Sequence, residues 1–149
     1  MAENLKVVLL VEDNPDDAEL ARFALEENHL LNKVVWAQDG RAALDYLFSR
    51  NEDSTDALPE MVLLDLKLPK VDGLEVLRQI RAHDATCRLP VVIMTSSKEE
   101  QDLIDGYSLG ANSYIRKPVD FDQFASAVRQ LGLYWLVLNE SALPCNRPL

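Results

Sequence analysis

The sequence has few cysteines and few basic residues, and these shortages exclude several classes of protein. Cys87 and Cys145 are the only cysteines among 149 residues. They form no CxxC or Cys/His spacing, so neither a zinc site nor a disulfide framework is indicated. The 25 acidic residues outnumber the 15 basic ones and give a formal net charge of −10. Because no run of lysine or arginine offsets this excess, we expect no binding to nucleic acid or to anionic membranes.

Long apolar segments are also lacking. The longest apolar run near the C-terminus, Leu131 to Leu138, is less than half of the roughly 20 residues that a membrane helix needs. The N-terminus shows no basic start followed by an apolar run and a cleavage site, which argues against a secretory signal. We therefore expect a cytoplasmic protein. Its length suits one domain that buries roughly 70% of the surface of its unfolded chain.

Short apolar runs that end on polar residues recur along the chain. Val7–Val11 ends on Glu12 and Asp13, and Met61–Leu64 ends on Asp65. Such runs are typical of strands that are buried on both faces of a sheet. The other predicted strands are 33–37, 91–94 and 114–115, of which the last two end on Thr95 and Lys117. Because helical patterns separate all five strands, the sequence predicts an α/β fold with a five-stranded parallel sheet.

The helices predicted between these strands begin and end at recognisable signals. Asn14 and Pro15 are typical of an N-cap and a first helical residue, and they predict a helix that reaches about Asn28. The remaining predicted helices are 41–48 after a turn at Asp39-Gly40, one from Gly73 that closes before Pro90, 98–109 ending at Gly110, and one from Asp120. Residues 50–58 carry no apolar period and are predicted to form a surface loop.

The polar residues that follow the strands converge on one sheet edge if the strands lie side by side. Three carboxylates, Glu12, Asp13 and Asp65, would repel one another there unless a cation neutralised them. With Lys117 supplying one positive charge, a divalent cation balances the rest, and Mg²⁺ prefers carboxylate, carbonyl and water oxygens. Adjacent residues of a strand point to opposite faces, so we expect only one of Glu12 and Asp13 to contact the ion directly.

This residue set has the parts for phosphoryl transfer, in which positioning and charge neutralisation do most of the work. Asp65 is the candidate nucleophile, which would form an aspartyl phosphate. Lys117 would neutralise phosphoryl charge, and the hydroxyl of Thr95 would donate to a phosphoryl oxygen. The sequence thus predicts magnesium-dependent transfer of a phosphoryl group to Asp65.

Over almost its whole length, the chain resembles the receiver domain of two-component response regulators, the CheY-like family. The resemblance rests on five motifs in order: Leu10-Val11-Glu12-Asp13, Asp65 within Leu64 to Gly73, Leu89-Pro90 through Thr95, Gly110-Ala111, and Tyr114 with Lys117-Pro118. It implies a flavodoxin-like, doubly wound (βα)5 fold. It also implies a receiver domain at 1–139 with an extended C-terminal helix, followed by a short tail at 140–149.

The resemblance further implies that Asp65 accepts its phosphoryl group from a histidine kinase. The expected ligands of Mg²⁺ are Glu12, Asp13, Asp65 and the backbone carbonyl of Lys67. Thr95 and Tyr114 would form a switch pair, the hydroxyl moving toward the phosphoryl group and the ring turning inward. A cis peptide before Pro118 would aim Lys117 at the site. The protein would be a signalling protein that promotes its own phosphorylation and dephosphorylation, not a conventional enzyme.

Finer features resemble the single-domain regulators that partner cyanobacterial phytochromes. These features are Ala43 to Leu47, the acidic loop after it, Ser97 to Glu100, and Tyr134-Trp135-Leu136. They imply a phytochrome-type kinase as the partner. Lys67 departs from the commoner chemotaxis regulator, where a neutral or acidic side chain is frequent. The lifetime of the phosphate therefore does not carry over from relatives.

The last predicted helix carries more apolar surface than one packing face requires. Its last two turns are apolar around most of their circumference because of Leu133, Tyr134, Leu136 and Val137. An exposed apolar patch usually marks an interface. Because 139–149 is too short for an output domain, we expect signalling by contact with a downstream protein. We also expect a two-fold homodimer through 98–109, the fifth strand and this helix. A monomer whose tail covers the patch is the alternative.

Three other functions use related features. A magnesium-dependent hydrolase of the haloacid dehalogenase type also has an aspartyl nucleophile, but it requires a second aspartate two residues on, where Lys67 stands. A flavodoxin-like nucleotide or flavin binder requires a phosphate loop after the first strand, where the acidic run from Glu12 to Asp17 would repel an anion. A pseudo-receiver adaptor, which acts without phosphorylation, is disfavoured by the complete residue set.

The remaining polar residues are interpreted as structural. We expect solvated helix faces for Arg22, Arg78 and Arg81, and solvent exposure for His29 and His83. Cys87 is interpreted as an unreactive small residue.

Overall fold

The α/β architecture predicted from the sequence is present in a computed structural model of the chain, which describes residues 7–26, 33–48, 58–95, 105, 108–110, 113–116 and 126. The strands are β1 (Val7–Val11), β2 (Lys33–Ala37), β3 (Met61–Leu64), β4 (Val91–Thr95) and β5 (Ser113–Arg116). The helices bounded within the described residues are α1 (Pro15–Glu26), α2 (Gly40–Phe48) and α3 (Gly73–Ala82). All five strands lie within two residues of their predicted positions.

The strands form one parallel sheet in the order β2-β1-β3-β4-β5. β1 pairs with β2 on one side, where Val11 lies opposite Ala37, and with β3 on the other side, where Val11 lies opposite Leu64. Because all strands run in the same direction, their carboxyl ends meet at one edge. The change of direction in the strand order, with β1 between β2 and β3, is the doubly wound topology that the resemblance implies.

Two apolar cores cover the two faces of the sheet. Alternate residues of the central strands, such as Leu10 and Leu63, pack with Ala21 and Leu25 of α1. The intervening residues, such as Leu9 and Leu64, pack with residues of α2 and α3. The side chains of Leu9, Leu10, Leu63 and Leu64 are all fully buried. Burial on both faces explains why these strands are continuously apolar instead of alternating.

Side-chain caps fix where the helices begin. Asn14 Oδ1 accepts hydrogen bonds from the backbone N–H groups of Asp16 (2.9 Å) and Asp17 (3.2 Å), as expected of an N-cap. Asp72 caps α3 in the same way through Leu74 N–H. The expected turn at Asp39-Gly40 is different in the structure. Asp39 Oδ1 accepts from Ala42 N–H at 2.7 Å, so Asp39 caps α2 and Gly40 is its first helical residue.

Arg81 does not lie on a solvated helix face, which contradicts the sequence-based expectation. Its guanidinium donates to the carbonyl oxygens of Leu89 (Nη1, 2.7 Å), Cys87 (Nη1, 3.3 Å) and Gly110 (Nη2, 2.6 Å; Nε, 3.1 Å). Loss of water on burial lowers the pKa of Arg81 below its ordinary value. Arg81 therefore ties the end of α3 to the segment before β4 and to Gly110, whose φ of 96° suits a helix terminus.

The other expectations for surface residues are mostly confirmed. Arg22 is exposed and pairs with Glu26 at 3.3 Å, and the exposed Arg78 pairs with Glu75. Hydrogen bonds from Arg78 and then from Gln79 lower the pKa of Glu75 to about 2. His83 is exposed, and its ring stacks on that of Phe48 with 4.1 Å between centroids.

Cys87 departs from expectation because it is disulfide-bonded. The spacing rules failed at this residue because they test for local motifs, whereas a disulfide joins residues that the fold brings together.

Several predicted features lie outside the described residues. They are residues 50–57 of the predicted surface loop, most of the helix at 98–109, His29, Lys117, Pro118, the C-terminal helix and the tail, including Leu133, Tyr134, Leu136 and Val137. In the described part of the chain, no helix is long and apolar enough to cross a membrane.

Candidate functional site

Three carboxylates that the sequence predicts to converge lie together at the carboxyl edge of the sheet. Glu12, Asp13 and Asp65 each contribute one carboxylate oxygen, and these three oxygens all lie within 4.8 Å of one another. Glu12 is fully buried and Asp65 is 5% exposed, whereas Asp13 is exposed. The cluster is therefore partly buried at the sheet edge and is open to solvent on the side of Asp13.

Backbone hydrogen bonds extend the sheet ladders by one residue and place two of these acids. Asp65 N–H donates to the carbonyl oxygen of Val11 at 3.0 Å, which joins the end of β3 to the end of β1. Glu12 N–H donates to the carbonyl oxygen of Ala37 at 3.0 Å, which joins the end of β1 to β2. The indole N–H of Trp36 donates to the Glu12 carbonyl oxygen at 2.7 Å. Adjacent strands therefore hold the two buried acids side by side.

Glu12 and Asp13 both reach the cluster, although adjacent strand residues point to opposite faces. Both can do so because β1 ends at Val11, so both acids lie beyond the pleated strand. That only one of them contacts the ion directly stays a prediction. The carboxylate of Glu12 also accepts the backbone N–H of Asn14 at 3.2 Å (Oε2). This bond turns the chain away from the strand direction just before α1 begins.

The acidic cluster fits a hard divalent cation. Burying a carboxylate is costly unless a partner compensates the charge, and like charges at this separation repel. Mg²⁺ is bound through one or two carboxylates and keeps several waters. Two buried acids beside an exposed Asp13 supply such ligands together with a face open to water.

The chain leaves the cluster through a tight loop between β3 and α3, Leu66–Asp72, here named the β3–α3 loop. Lys67 N–H donates to Asp65 Oδ1 at 3.1 Å, and Gly73 N–H donates to the Leu66 carbonyl oxygen at 3.0 Å. A Cβ on Gly73 would run into the backbone of Asp65 and Leu66. Only glycine at this position lets α3 start so close to the end of β3, which keeps Lys67 beside Asp65.

The remaining predicted site residues follow the strands on the other side of β3. Thr95 ends β4, where its backbone lies opposite Arg116, and Tyr114 of β5 lies opposite Ile93. Lys117 directly follows Arg116 in the sequence. The backbone of Thr95 therefore lies at the same sheet edge as Asp65, while the side chains of Thr95 and Tyr114, and Lys117 itself, lie outside the described part.

Comparison of the sequence with models of known protein families shows which family this chain belongs to. The family model described as the response regulator receiver domain matches residues 8–129. This chain belongs to that family. Receiver domains are signalling proteins of two-component systems, and the resemblance drawn from the sequence is thereby confirmed.

Individual proteins that are similar to this chain show which members of the family it resembles. The probable methanogenesis regulatory protein FilR2 of Methanothrix harundinacea is 44% identical over 143 residues, which cover 96% of this chain and 92% of that protein. The phosphorylated cyanobacterial phytochrome response regulator RcpA is 36% identical with a TM-score of 0.81, over 91% of this chain and 97% of that chain.

Two further solved structures resemble this receiver domain. The bacteriophytochrome response regulator AtBRR is 51% identical with a TM-score of 0.73, over 93% of this chain and all of that chain. The Mn²⁺-bound form of Rcp1, the response regulator of that name in Synechocystis, is 35% identical with a TM-score of 0.78, over 94% and 99% of the two chains. The chain is therefore a receiver-domain response regulator homologous to phytochrome-associated regulators.

Proposed function

We propose that this receiver domain accepts a phosphoryl group on Asp65 from a histidine kinase and signals in the cytoplasm through protein contacts. The observation that carries the proposal is the convergence of Glu12, Asp13 and Asp65 at the carboxyl edge of the sheet. Asp65 is the member of this trio that follows β3, and its backbone is fixed to β1. A carboxylate so held is positioned for reaction without further ordering.

In the proposed reaction, an oxygen of the Asp65 carboxylate attacks the phosphorus of a phosphohistidine. The P–N bond breaks as the P–O bond forms, and the histidine leaves with the electron pair and takes up a proton. When bound to Glu12, Asp13, Asp65 and the Lys67 carbonyl, Mg²⁺ would offset the charge of the phosphoryl oxygens. The reaction yields an acyl phosphate, which water later hydrolyses.

Residues after β4 and β5 complete the proposed site. Lys117 would pair with a phosphoryl oxygen, and the Thr95 hydroxyl would donate to another. Movement of Thr95 toward the phosphoryl group would open space for the Tyr114 ring and so change the surface around β5. A cis peptide before Pro118 would direct Lys117 toward Asp65. The family membership of the chain and the shared sheet edge support these assignments.

Phytochromes are the proposed kinase partners. RcpA is a cyanobacterial phytochrome response regulator and AtBRR a bacteriophytochrome response regulator, and both align over more than nine tenths of this chain. The acidic surface of this chain, with its formal charge of −10, would favour a kinase with a basic docking face.

The deciding experiment is incubation with acetyl phosphate and Mg²⁺, followed by intact-mass spectrometry. We expect a single phosphate adduct that forms only when Mg²⁺ is present. It should not form when excess EDTA is added before the phosphate donor. An adaptor that acts without phosphorylation would give no adduct. A hydrolase would release inorganic phosphate over many turnovers without a stable adduct. Either result would overturn the proposed function.

Substitution of Lys67 tests how long the phosphate survives. The side chain of Lys67 is exposed, and its backbone N–H donates to the carboxylate of Asp65, two residues earlier. We expect Lys67→Asn to change the dephosphorylation rate several-fold, because removing a nearby cation alters the field on a charged phosphoryl group. The rate is measured by loss of the adduct after removal of the donor, with Lys33→Asn, at an exposed lysine at the start of β2, as the control. Equal rates for Lys67→Asn and the wild type would exclude a role for this side chain.

Substitution of Tyr134 tests the proposed homodimer, which rests on the apolar pattern of the last predicted helix. We expect Tyr134→Asp to convert a dimer to a monomer, because a charge in an apolar interface is costly to desolvate. Sedimentation velocity over a range of concentrations measures the change. Phe23→Asp on α1 is the control, since Phe23 is 57% exposed and lies outside the proposed face. A wild type that stays monomeric at every concentration would exclude the dimer.

A further inference from the structure

The β3–α3 loop has a strained and compact backbone. Lys70 has a φ of 70°, a left-handed conformation that residues other than glycine adopt at an energetic cost. Next to it, Val71 N–H donates to the Pro69 carbonyl oxygen at 2.8 Å. Such a conformation persists only where the surroundings hold it. The contact at Gly73 holds the C-terminal end of the loop, and the tip from Pro69 to Val71 needs a second support.

The N-terminus of α2 supplies that support. Gly40 N–H, which has no acceptor within its own helix, donates to the Pro69 carbonyl oxygen at 3.4 Å. Asp39 Oδ2 pairs with the ammonium group of Lys70 at 3.7 Å. A Cβ on Gly40 would collide with the carbonyl group and side chain of Val71. The absence of a side chain at Gly40 therefore sets how closely the tip of the loop approaches α2.

Asp39 performs two tasks with its two carboxylate oxygens. Oδ1 caps α2 through Ala42 N–H at 2.7 Å, which fixes the helix end, while Oδ2 faces Lys70. The side chain of Asp39 is 18% exposed and that of Lys70 is 68% exposed. The ion pair thus lies at the solvent boundary, with its acidic partner held in place by the cap.

We propose that Asp39 and Gly40 are positioning residues for the metal and phosphoryl site, although they lie outside it. They hold the tip of the β3–α3 loop, and the loop in turn fixes Lys67, whose N–H bonds Asp65 Oδ1 and whose carbonyl is the proposed metal ligand. The proposal rests on the function proposed above. According to this proposal, the N-terminus of α2 contributes to the affinity for the metal, although it lies far from Asp65 in the sequence.

Gly40→Ala is the sharpest test because the backbone of Gly40 itself accepts alanine. Among the described glycines, only Gly110 has a positive φ, and alanine favours a helix more than glycine does. Loss of function in this variant would therefore come from the collision with Val71, which pushes the loop away. Arg41→Ala is the matched control, since Arg41 is the next residue of α2, is exposed, and pairs with Asp45 of its own helix.

Two measurements are made on the full chain at a temperature where circular dichroism shows each variant to be folded. Titration with Mg²⁺ alone by isothermal titration calorimetry is expected to show about tenfold weaker binding for Gly40→Ala, the lower end of the usual effect of disturbing groups that orient metal ligands. Hydrogen exchange without metal is expected to be faster at the amides of 66–71. Asp39→Asn, which keeps the cap but removes the charge, is expected to weaken binding about twofold to threefold. Arg41→Ala is expected to match the wild type in both measurements.

The outcomes separate this inference from the function on which it rests. A wild type that binds no Mg²⁺ overturns the proposed metal site and this inference with it. If the wild type binds Mg²⁺ and Gly40→Ala binds equally well with unchanged exchange at 66–71, only the positioning role is overturned, even where the melting temperature falls. If Gly40→Ala does not fold, Asp39→Asn and Lys70→Ala decide, and unchanged Mg²⁺ affinity in both overturns the role.

Discussion

Replacement of Asp65 by asparagine is expected to abolish the phosphate adduct that the wild type forms with acetyl phosphate and Mg²⁺. Asparagine has nearly the same shape and can still accept the Lys67 N–H, but its neutral amide cannot act as the nucleophile. The change also removes one of three clustered negative charges. Stabilisation by Mg²⁺, seen as an increase in melting temperature, should therefore largely disappear with the adduct.

Asp16→Asn is the matched control for this substitution. Asp16 is an exposed carboxylate in the first turn of α1, close in sequence to Glu12 and Asp13, and it does not belong to the cluster. It should keep a wild-type yield of adduct and a wild-type response to Mg²⁺. An adduct that persists in Asp65→Asn would place the phosphate on another residue and contradict the proposed role of Asp65.

Replacement of Arg81 by methionine is expected to lower the free energy of unfolding by about 3 kcal/mol, the range typical of breaking a half-buried, charge-assisted hydrogen-bond network. Methionine keeps much of the apolar stem but leaves the carbonyls of Leu89 and Gly110 without this donor. For a domain of this size, such a loss corresponds to a fall in melting temperature of roughly 6–12 °C. Urea unfolding followed by circular dichroism measures the free energy directly.

Arg78→Met, on the same helix, separates the contribution of buried hydrogen bonds from that of charge. The side chain of Arg78 is 57% exposed, and its contacts in the described residues are with Glu75 one turn earlier. Exposed pairs of this kind contribute about 0.5 kcal/mol. Equal destabilisation by the two substitutions would show that the carbonyl contacts of Arg81 add nothing to stability.

The sequence was sufficient to predict the acidic trio because two simple regularities place it. Continuous apolar runs such as Met61–Leu64 indicate strands buried on both faces, and parallel strands bring their carboxyl ends to one edge. Glu12 and Asp65 follow two such runs, so their proximity needs no knowledge of side-chain packing. The structure required one refinement, since Glu12 and Asp13 lie beyond the last pleated residue of β1 and both reach the site.

Arg81 and Gly40 could not be predicted in the same way because their partners are backbone groups of distant segments. Arg81 bonds the carbonyls of Leu89 and Gly110, and any residue type can supply a carbonyl. The role of Gly40 depends on where the β3–α3 loop passes, not on the φ of Gly40 itself. Patterns of apolar and charged side chains in a sequence do not predict such contacts with backbone groups.

The two buried acids are held by parts of the sheet that differ in local stability. Asp65 is bonded to β1, which has a neighbouring strand on each side, whereas Glu12 is bonded to β2, which lies at one end of the strand order. Terminal strands open at a lower free energy than central ones, because they are bonded on one side. Partial unfolding of β2 would break both the Ala37 and Trp36 contacts of Glu12 and leave Asp65 in place. Fluctuations of this edge would therefore disturb metal binding more readily than they disturb the proposed nucleophile.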